Sequence, residues 1–213
     1  MKGKSFKTSI TAISDLHGHY PSLPGGDLLL IAGDLTARDT LLEYIKFMDW
    51  LNGLSYRCKV VVAGNHDGQI ESEKITISNE ANNIYYLCDS GLEFEGLKIW
   101  GSPYTPTFEN WHFMRNRGVD IKKHWDIIPA GIDVLVTHGP PYGIFDNIED
   151  GLRVGCEDLI QAVSERVKPR IHCFGHIHED GGSMKKIDET IYINCSYVDE
   201  RYRPVKSIMT INI

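Results

Sequence analysis

The chain has 213 residues, 42% of them hydrophobic and 24% charged, with a net charge of −7. No block of like charge and no basic stripe is present, so electrostatic binding to long DNA or RNA or to an anionic membrane is excluded. No apolar run approaches the 18 or so residues a spanning helix needs, and the MKGKSFKTSITAIS start has no apolar core of a leader, so the expected location is cytoplasmic.

In chain order the pattern predicts strands near Ser9–Ser14 and Leu28–Ala32, a helix over Thr40–Leu51, and strands near Lys59–Ala63, Ile84–Leu87 and Lys98–Gly101. A helix over Ile121–Ile127 and a strand at Val134–Thr137 come next. A helix over Glu157–Val167 ends before Pro169, as the restriction on residues preceding proline requires. Strands at Ile171–Phe174, Thr190–Asn194 and Lys206–Ile211 complete the set. The first helix is expected to bury Leu41, Leu42, Ile45, Met48 and Leu51, with Asp39 as its N-cap. No linker, repeat or low-complexity stretch interrupts residues 1–213, which read as a single α/β domain. Strands outnumber helices in the second half, which suggests two facing sheets with helices outside. Cys58, Cys88, Cys156, Cys173 and Cys195 are scattered and lack CxxC spacing, so they read as buried reduced thiols.

Five of the apolar runs end abruptly in residues that bind metal. These are Asp15 and His17 after TAIS, Asp34 after LLLIAG, Asn65 and His66 after KVVVAG, His138 after VLVT, and His176 and His178 after IHCFG. Each run has the length and the Val/Ile/Leu content of a strand buried on both faces. In an open α/β sheet, ligands bind beyond the carboxyl ends of such strands. A lone Asp there is ordinarily a turn or cap residue, and a lone His a hydrogen-bonding core residue. Two Asp, one Asn and five His converging on one crevice have no packing use; a two-metal site needs them.

The ordered set Asp15-Leu16-His17, Gly33-Asp34, Gly64-Asn65-His66-Asp67, His138-Gly139 and Gly175-His176-Ile177-His178 resembles the calcineurin-like metallophosphoesterases. His138-Gly139-Pro140-Pro141 and Gly175-His176-Ile177-His178-Glu179 are closest to the metallophosphoesterase-domain (MPPED) subgroup and its bacterial relatives. The resemblance implies a four-layer αββα sandwich. It also implies that Asp15, His17 and His178 hold one metal, that Asn65, His138 and His176 hold a second, and that Asp34 bridges them. His66 would face the scissile phosphate and assist the leaving group. Imidazole and carboxylate donors suit Mn, Fe, Zn, Co or Ni rather than six-oxygen magnesium, with manganese the first choice for assay. Two such ions lower the pKa of a bridging water and clamp an in-line displacement.

Other residues stay open. Asp67 orients the His66 imidazole or caps the next turn; His19 and His172 read as non-catalytic; Glu179 and Asp180 are partners of ligand imidazoles or solvated turn residues. The Gly101–Gly118 stretch carries Tyr104, Trp111, Arg115 and Arg117, which either contact substrate or form an aromatic lid over the end of the sandwich. The expected activity is hydrolysis of small phosphodiesters, cyclic nucleotides among them, with the small phosphorylated substrate as the partner. Phosphomonoester or phosphoprotein hydrolysis is the alternative. The phosphoprotein reading is weakened because Leu35-Thr36-Ala37-Arg38-Asp39 follows Asp34 where an arginine-bearing motif would be expected. A scaffold that has lost catalysis is disfavoured by the complete ligand set. The sequence does not define an oligomeric state.

Overall fold

The computed structural model describes residues 7–213. The first six residues, part of the stretch read above for a leader, lie outside the described range. The elements are β1 (Ser9–Ile13), β2 (Gly26–Ala32), α1 (Leu41–Gly53), β3 (Tyr56–Val62), the single turn α2 (Gly68–Glu71), β4 (Ile84–Tyr86), β5 (Ser90–Phe94), β6 (Leu97–Ser102), the two-residue strands β7 (Thr105–Pro106) and β8 (Met114–Arg115), α3 (Val119–Asp126), β9 (Val134–Thr137), α4 (Glu157–Gln161), β10 (Ile171–Phe174), β11 (Ser183–Ile187), β12 (Thr190–Asn194) and β13 (Met209–Asn212). The predicted 157–167 helix is continuous, but its second half, Ala162–Val167, is a π-helical segment. The sequence pattern does not reveal β5, β11, α2 or the β7–β8 pair. β5 and β11 are exposed edge strands with little apolar signal.

The strands form two main mixed sheets, ordered β13-β1-β2-β3-β4 and β11-β12-β10-β9-β6-β5. β1 to β4 run parallel, with β13 antiparallel along β1. In the second sheet β12, β10, β9 and β6 run parallel, and the antiparallel β11 and β5 close its edges. Alternation along the strands sorts the side chains into layers. Leu28, Leu30, Val60 and Val62 of the first sheet meet Val134, Val136, Ile171 and Ile193 of the second. Leu29, Ile31 and Val61 point outward onto Tyr44, Phe47 and Leu51 of α1. Leu135, Phe174 and Tyr192 point outward onto Ile121, Trp125 and Leu159 of α3 and α4. This is the four-layer arrangement expected from the family resemblance, with the central parallel strands covered on both faces.

Two details of α1 differ from expectation. Its N-cap is Thr40, whose hydroxyl accepts from the Glu43 N–H while the Glu43 carboxylate reaches back to the Thr40 N–H, a complete capping box. Its buried face is Tyr44, Phe47 and Leu51, whereas Leu41, Leu42 and Ile45 are 57%, 59% and 49% exposed. The spacing 44, 47, 51 is as helical as 41, 45, 48, and the larger rings win because they remove more apolar area from water. Asp39 keeps a role one residue outside the cap, accepting the Tyr44 hydroxyl at 2.7 Å. All five cysteines are free; four are buried and Cys88 is partly so.

Candidate metal centre

The parallel strands of both sheets end at the same edge, and the expected ligands sit immediately beyond them. Asp15 and His17 follow β1, Asp34 follows β2, Asn65 and His66 follow β3, His138 follows β9, and His176 and His178 follow β10. Four of these residues, Asp15, His17, Asp34 and His176, have positive φ angles of 53°, 41°, 53° and 69°. Non-glycine residues seldom adopt this region, and held there they store local strain of about 1–3 kcal/mol each, a pattern that clusters at functional sites. The turns need room as well as strain. A Cβ on Gly64 would lie 2.2 Å from an Asp34 carboxylate oxygen, and one on Gly175 would lie 2.1 Å from an Asp15 carboxylate oxygen.

The donors converge as three overlapping groups: Asp15, His17 and His178; His17, Asp34 and His66; and Asp34, His138 and His176, each with its ligand atoms within 4.8 Å of one another. Asp34 sits between them, with one oxygen 3.5 Å from His17 Nε2 and the other 3.5 Å from His138 Nε2. The second oxygen also accepts from the His66 N–H at 2.9 Å. Asp15 accepts from the His176 N–H, from the Ser196 hydroxyl at 2.7 Å and from His178 Nε2 at 3.2 Å.

These groups fit a divalent transition metal on the chemistry of the donors. Both ring nitrogens of His17 are buried without a hydrogen-bond partner, a costly arrangement unless a cation takes a lone pair. His138 Nδ1 bonds the Ala32 carbonyl at 2.9 Å and His178 Nδ1 bonds the Asp199 carbonyl at 3.1 Å. Each carbonyl takes the Nδ1–H and thereby directs Nε2 into the site, the usual way a protein orients a metal-binding imidazole. Asn65 Oδ1, with the amide oxygen assigned to this side, stands 2.8 Å from His138 Nε2, so two acceptors face one another.

The electrostatics agree. Burial raises the pKa of Asp15 and of Asp34, but the surrounding histidines outweigh it and hold both carboxyls below their ordinary value. Burial pushes His17 down to about 4 and His176 to about 3, keeping both imidazoles neutral. Burial also works against charging His178, yet the hydrogen bond and charge of Asp15 raise it to about 9.

His66 differs from the other histidines. Its Nδ1 bonds the Ala37 carbonyl at 3.0 Å, which leaves Nε2 free, and its ring lies tilted against Trp111 with centroids 4.4 Å apart. Asp67 neither touches this imidazole nor makes a side-chain cap. It is wholly buried, and its carboxylate accepts from the Gly64, Leu35 and Thr36 N–H groups and the Thr36 hydroxyl. It thus staples the loop after β3 to the loop after β2. Burial and the nearby Asp34 carboxylate push its pKa up, and those donors work against the rise.

A cavity of about 500 Å³ opens over the centre, lined by His17, Asp34, Asn65, His66, His176 and His178 at its base. Trp111 and Arg117 line it. Tyr104 and Arg115 do not. Tyr104 stacks on His124 at 3.7 Å, and the Arg115 guanidinium lies 4.5 Å from the centre of the Tyr104 ring while bonding Glu71 and the Met114 carbonyl. The Gly101–Gly118 stretch therefore divides: Tyr104 and Phe113 pack into the core under α1, and the middle, Thr105–Trp111, walls the cavity. His19 bonds the Tyr202 carbonyl, and His172 is buried against Thr137. Of Glu179 and Asp180, Glu179 lines the cavity; the carbonyl that orients His178 comes from Asp199 instead.

The Asp199–Arg203 loop is a part of the site that the sequence pattern does not mark. The Asp199 carboxylate accepts from the N–H groups of Arg201 and Arg203 and pairs with the Arg203 guanidinium, so it closes the loop on itself. That closure sets Tyr202 at φ 59° with its ring against His17 and His178, at 4.7 and 5.4 Å. No spacing rule ties DERYR to a metal centre; the strained Tyr202 and the Asp199 carbonyl on His178 tie it there in the structure.

Residues 8–180 match the sequence profile of the calcineurin-like phosphoesterases. The chain is 37% identical to human metallophosphoesterase domain-containing protein 1, over 97% of this chain and 71% of that protein. It is 38% identical to a UPF0046 protein of Caenorhabditis elegans, over 92% and 78%. Among solved structures it is similar in fold to the phosphopantetheinyl hydrolase of Mycobacterium tuberculosis, at 16% identity and TM-score 0.60, covering 96% of each chain. It is also similar to TT1561 of Thermus thermophilus, at 15% identity and TM-score 0.61, covering 97% of this chain and 99% of that one. With the strand-end donors gathered into one centre, the chain belongs to the calcineurin-like phosphoesterases and is a metal-dependent phosphoesterase.

Proposed function

We propose that the protein hydrolyses small phosphodiesters with two divalent transition metals, manganese serving in vitro. Asp15, His17 and His178 hold one ion, Asn65, His138 and His176 the other, and Asp34 lies between. The observation that carries the two-ion reading is the sharing of Asp34: its two oxygens face His17 and His138, the nearest members of the two groups, each at 3.5 Å. When bound, the ions supply positive charge that polarises the phosphoryl group and lowers the pKa of a water towards neutrality.

The protein's own residues then divide the work. Asp15 is fixed by the Ser196 hydroxyl and the His176 N–H, and would present its carboxylate to the ion without rearranging. Ala37 holds the His66 ring by Nδ1, so Nε2 of the imidazolium is the atom that passes a proton to the departing oxygen. The Trp111 ring lies beside it, with centroids 4.4 Å apart.

The preference for diesters over monoesters has its own support. Besides the ligand residues, the cavity lining carries Glu109, Glu179 and Glu200, and Arg117 is its one arginine or lysine among the described residues. The Arg117 guanidinium is committed to Glu157 and to the Gly155 and Val154 carbonyls. A monoanionic diester meets less repulsion from this rim than a dianionic monoester. The test is hydrolysis of bis-p-nitrophenyl phosphate, p-nitrophenyl phosphate and 2′,3′- and 3′,5′-cyclic nucleotides by metal-stripped protein refilled with Mn²⁺. Manganese-dependent turnover of the diesters supports the reading; turnover of the monoester alone makes it a phosphatase.

A further inference from the structure

Two loops flank the mouth of the cavity, and each presents an aromatic ring beside a carboxylate. The Thr105–Trp111 wall brings Glu109 and Trp111, tied together because Trp111 Nε1 donates to the Glu109 carboxylate at 3.2 Å. The Asp199–Arg203 loop brings Glu200 and Tyr202. Both rings stand around His66, with centroids 4.4 Å away for Trp111 and 6.4 Å for Tyr202. They therefore border the space into which the leaving group departs. Trp111 packs against His66, and Tyr202 against His17 and His178, yet the two residues remain 40% and 49% exposed, so each ring keeps surface open at the cavity mouth. Below them His17 is buried, unpartnered and turned into the same cavity.

An aromatic ring attracts a cation through its negative face, and a carboxylate beside it adds charge. A second phosphate, by contrast, finds no free guanidinium or ammonium in the lining among the described residues, because Arg117 is already paired. We propose that Trp111, Tyr202, Glu109 and Glu200 form a subsite for an ammonium group, so that the substrates of this site are phosphodiesters whose departing alcohol carries a quaternary or protonated amine. The subsite rests on the phosphodiesterase reading. In the reaction, water adds to phosphorus, the bond from phosphorus to the amino alcohol's oxygen breaks, and that oxygen takes the proton His66 delivers. The products are a phosphomonoester and the free amino alcohol. A neutral isostere of the same shape would keep every contact except the charge.

The experiment measures inhibition of bis-p-nitrophenyl phosphate turnover, in manganese-loaded protein, by methyl phosphocholine and by its carbon isostere methyl 3,3-dimethylbutyl phosphate. The expected inhibition constants differ by about tenfold in favour of the choline diester at low salt, and the gap narrows as salt rises. In the Glu109→Gln/Glu200→Gln double variant the two constants should agree within about twofold. Equal inhibition of the wild type by both compounds, inhibition by neither, or a preference that survives in the double variant overturns the ammonium subsite. Absence of any bis-p-nitrophenyl phosphate turnover would overturn the phosphodiesterase reading itself, and the subsite with it.

Discussion

His66 and His17 stand with ring centroids 4.6 Å apart, and yet they are built for different tasks. His17 is buried with both nitrogens unpartnered; His66 is tethered by one nitrogen and lies tilted against the Trp111 ring. His66→Ala should therefore retain both metals and lower kcat by about 10²–10⁴-fold, the span of general acid catalysis. Metal analysis beside the kinetics checks it: loss of an ion would make His66 a ligand. Asp34→Asn removes a charge shared by both groups and should weaken both ions together, which a two-step metal titration resolves. The proton on His178 provides a further readout. Its folded-state pKa, near 9, lies above the ordinary 6.5, so its pairing with Asp15 stabilises the metal-free protein fully below pH 6.5 and is lost as pH rises through 9. Asp15, depressed below 3.8, contributes above that value and loses its contribution on acidification. Metal must displace the His178 proton, so affinity should climb by about tenfold per pH unit up to pH 9, and calorimetry in buffers of differing ionisation enthalpy should count about one proton released at pH 7.5. A count near zero would remove His178 from the ligand set.

At the scale of the element, the sequence makes legible whatever a strand determines directly. Asp15, Asp34, Asn65, His138 and His176 lie within three residues of a strand end, so locating the strand locates the ligand. Tyr104 and Arg115 cannot be placed this way. Composition brings rings and guanidinium groups into one segment, but the two short strands β7 and β8 decide which of them turn inward, and their pairing has no periodic signature. The Tyr202 loop is hidden for a related reason: its shape comes from Asp199 pairing with Arg203, a local charge contact that reads in sequence as a solvated turn. The buried face of α1 differs from expectation because two helical spacings compete in one segment. The turns after the strands are also where substitutions cost most. Gly175→Ala drives a methyl into Asp15 and Ser14, both confined where β1 gives way to the ligand loop. It should cost about 1–3 kcal/mol of stability and weaken the ion held by Asp15 by more than about tenfold. Thermal melts of the metal-free and manganese-loaded variant separate those two effects.

Over the whole molecule, the centre joins the ends of both sheets, so a bound ion ties the two halves of the sandwich. Any ligand that binds only the folded state stabilises it, by about 2.7 kcal/mol at a hundredfold excess over Kd. For a chain of this size that corresponds to a rise in melting temperature of about 5–10 °C. Scanning calorimetry with and without a chelator tests it, and an unchanged midpoint would mean that the ions do not brace the fold. The two-sheet plan is legible from the count and order of apolar runs; the exposed edge strands of the second sheet, β5 and β11, are not.

The carboxylate of Asp15 is held by the N–H of His176 and the hydroxyl of Ser196, partners 161 and 181 residues further along. At a ribosomal pace of about 5–20 residues per second, on the order of ten to thirty seconds separate the emergence of the first ligand from that of its partners. Until then Asp15 and His17 lack His178, the third donor of their group. Completion of this group is thus a late event in the protein's birth, because its last donor and both residues that hold the Asp15 carboxylate follow most of the chain.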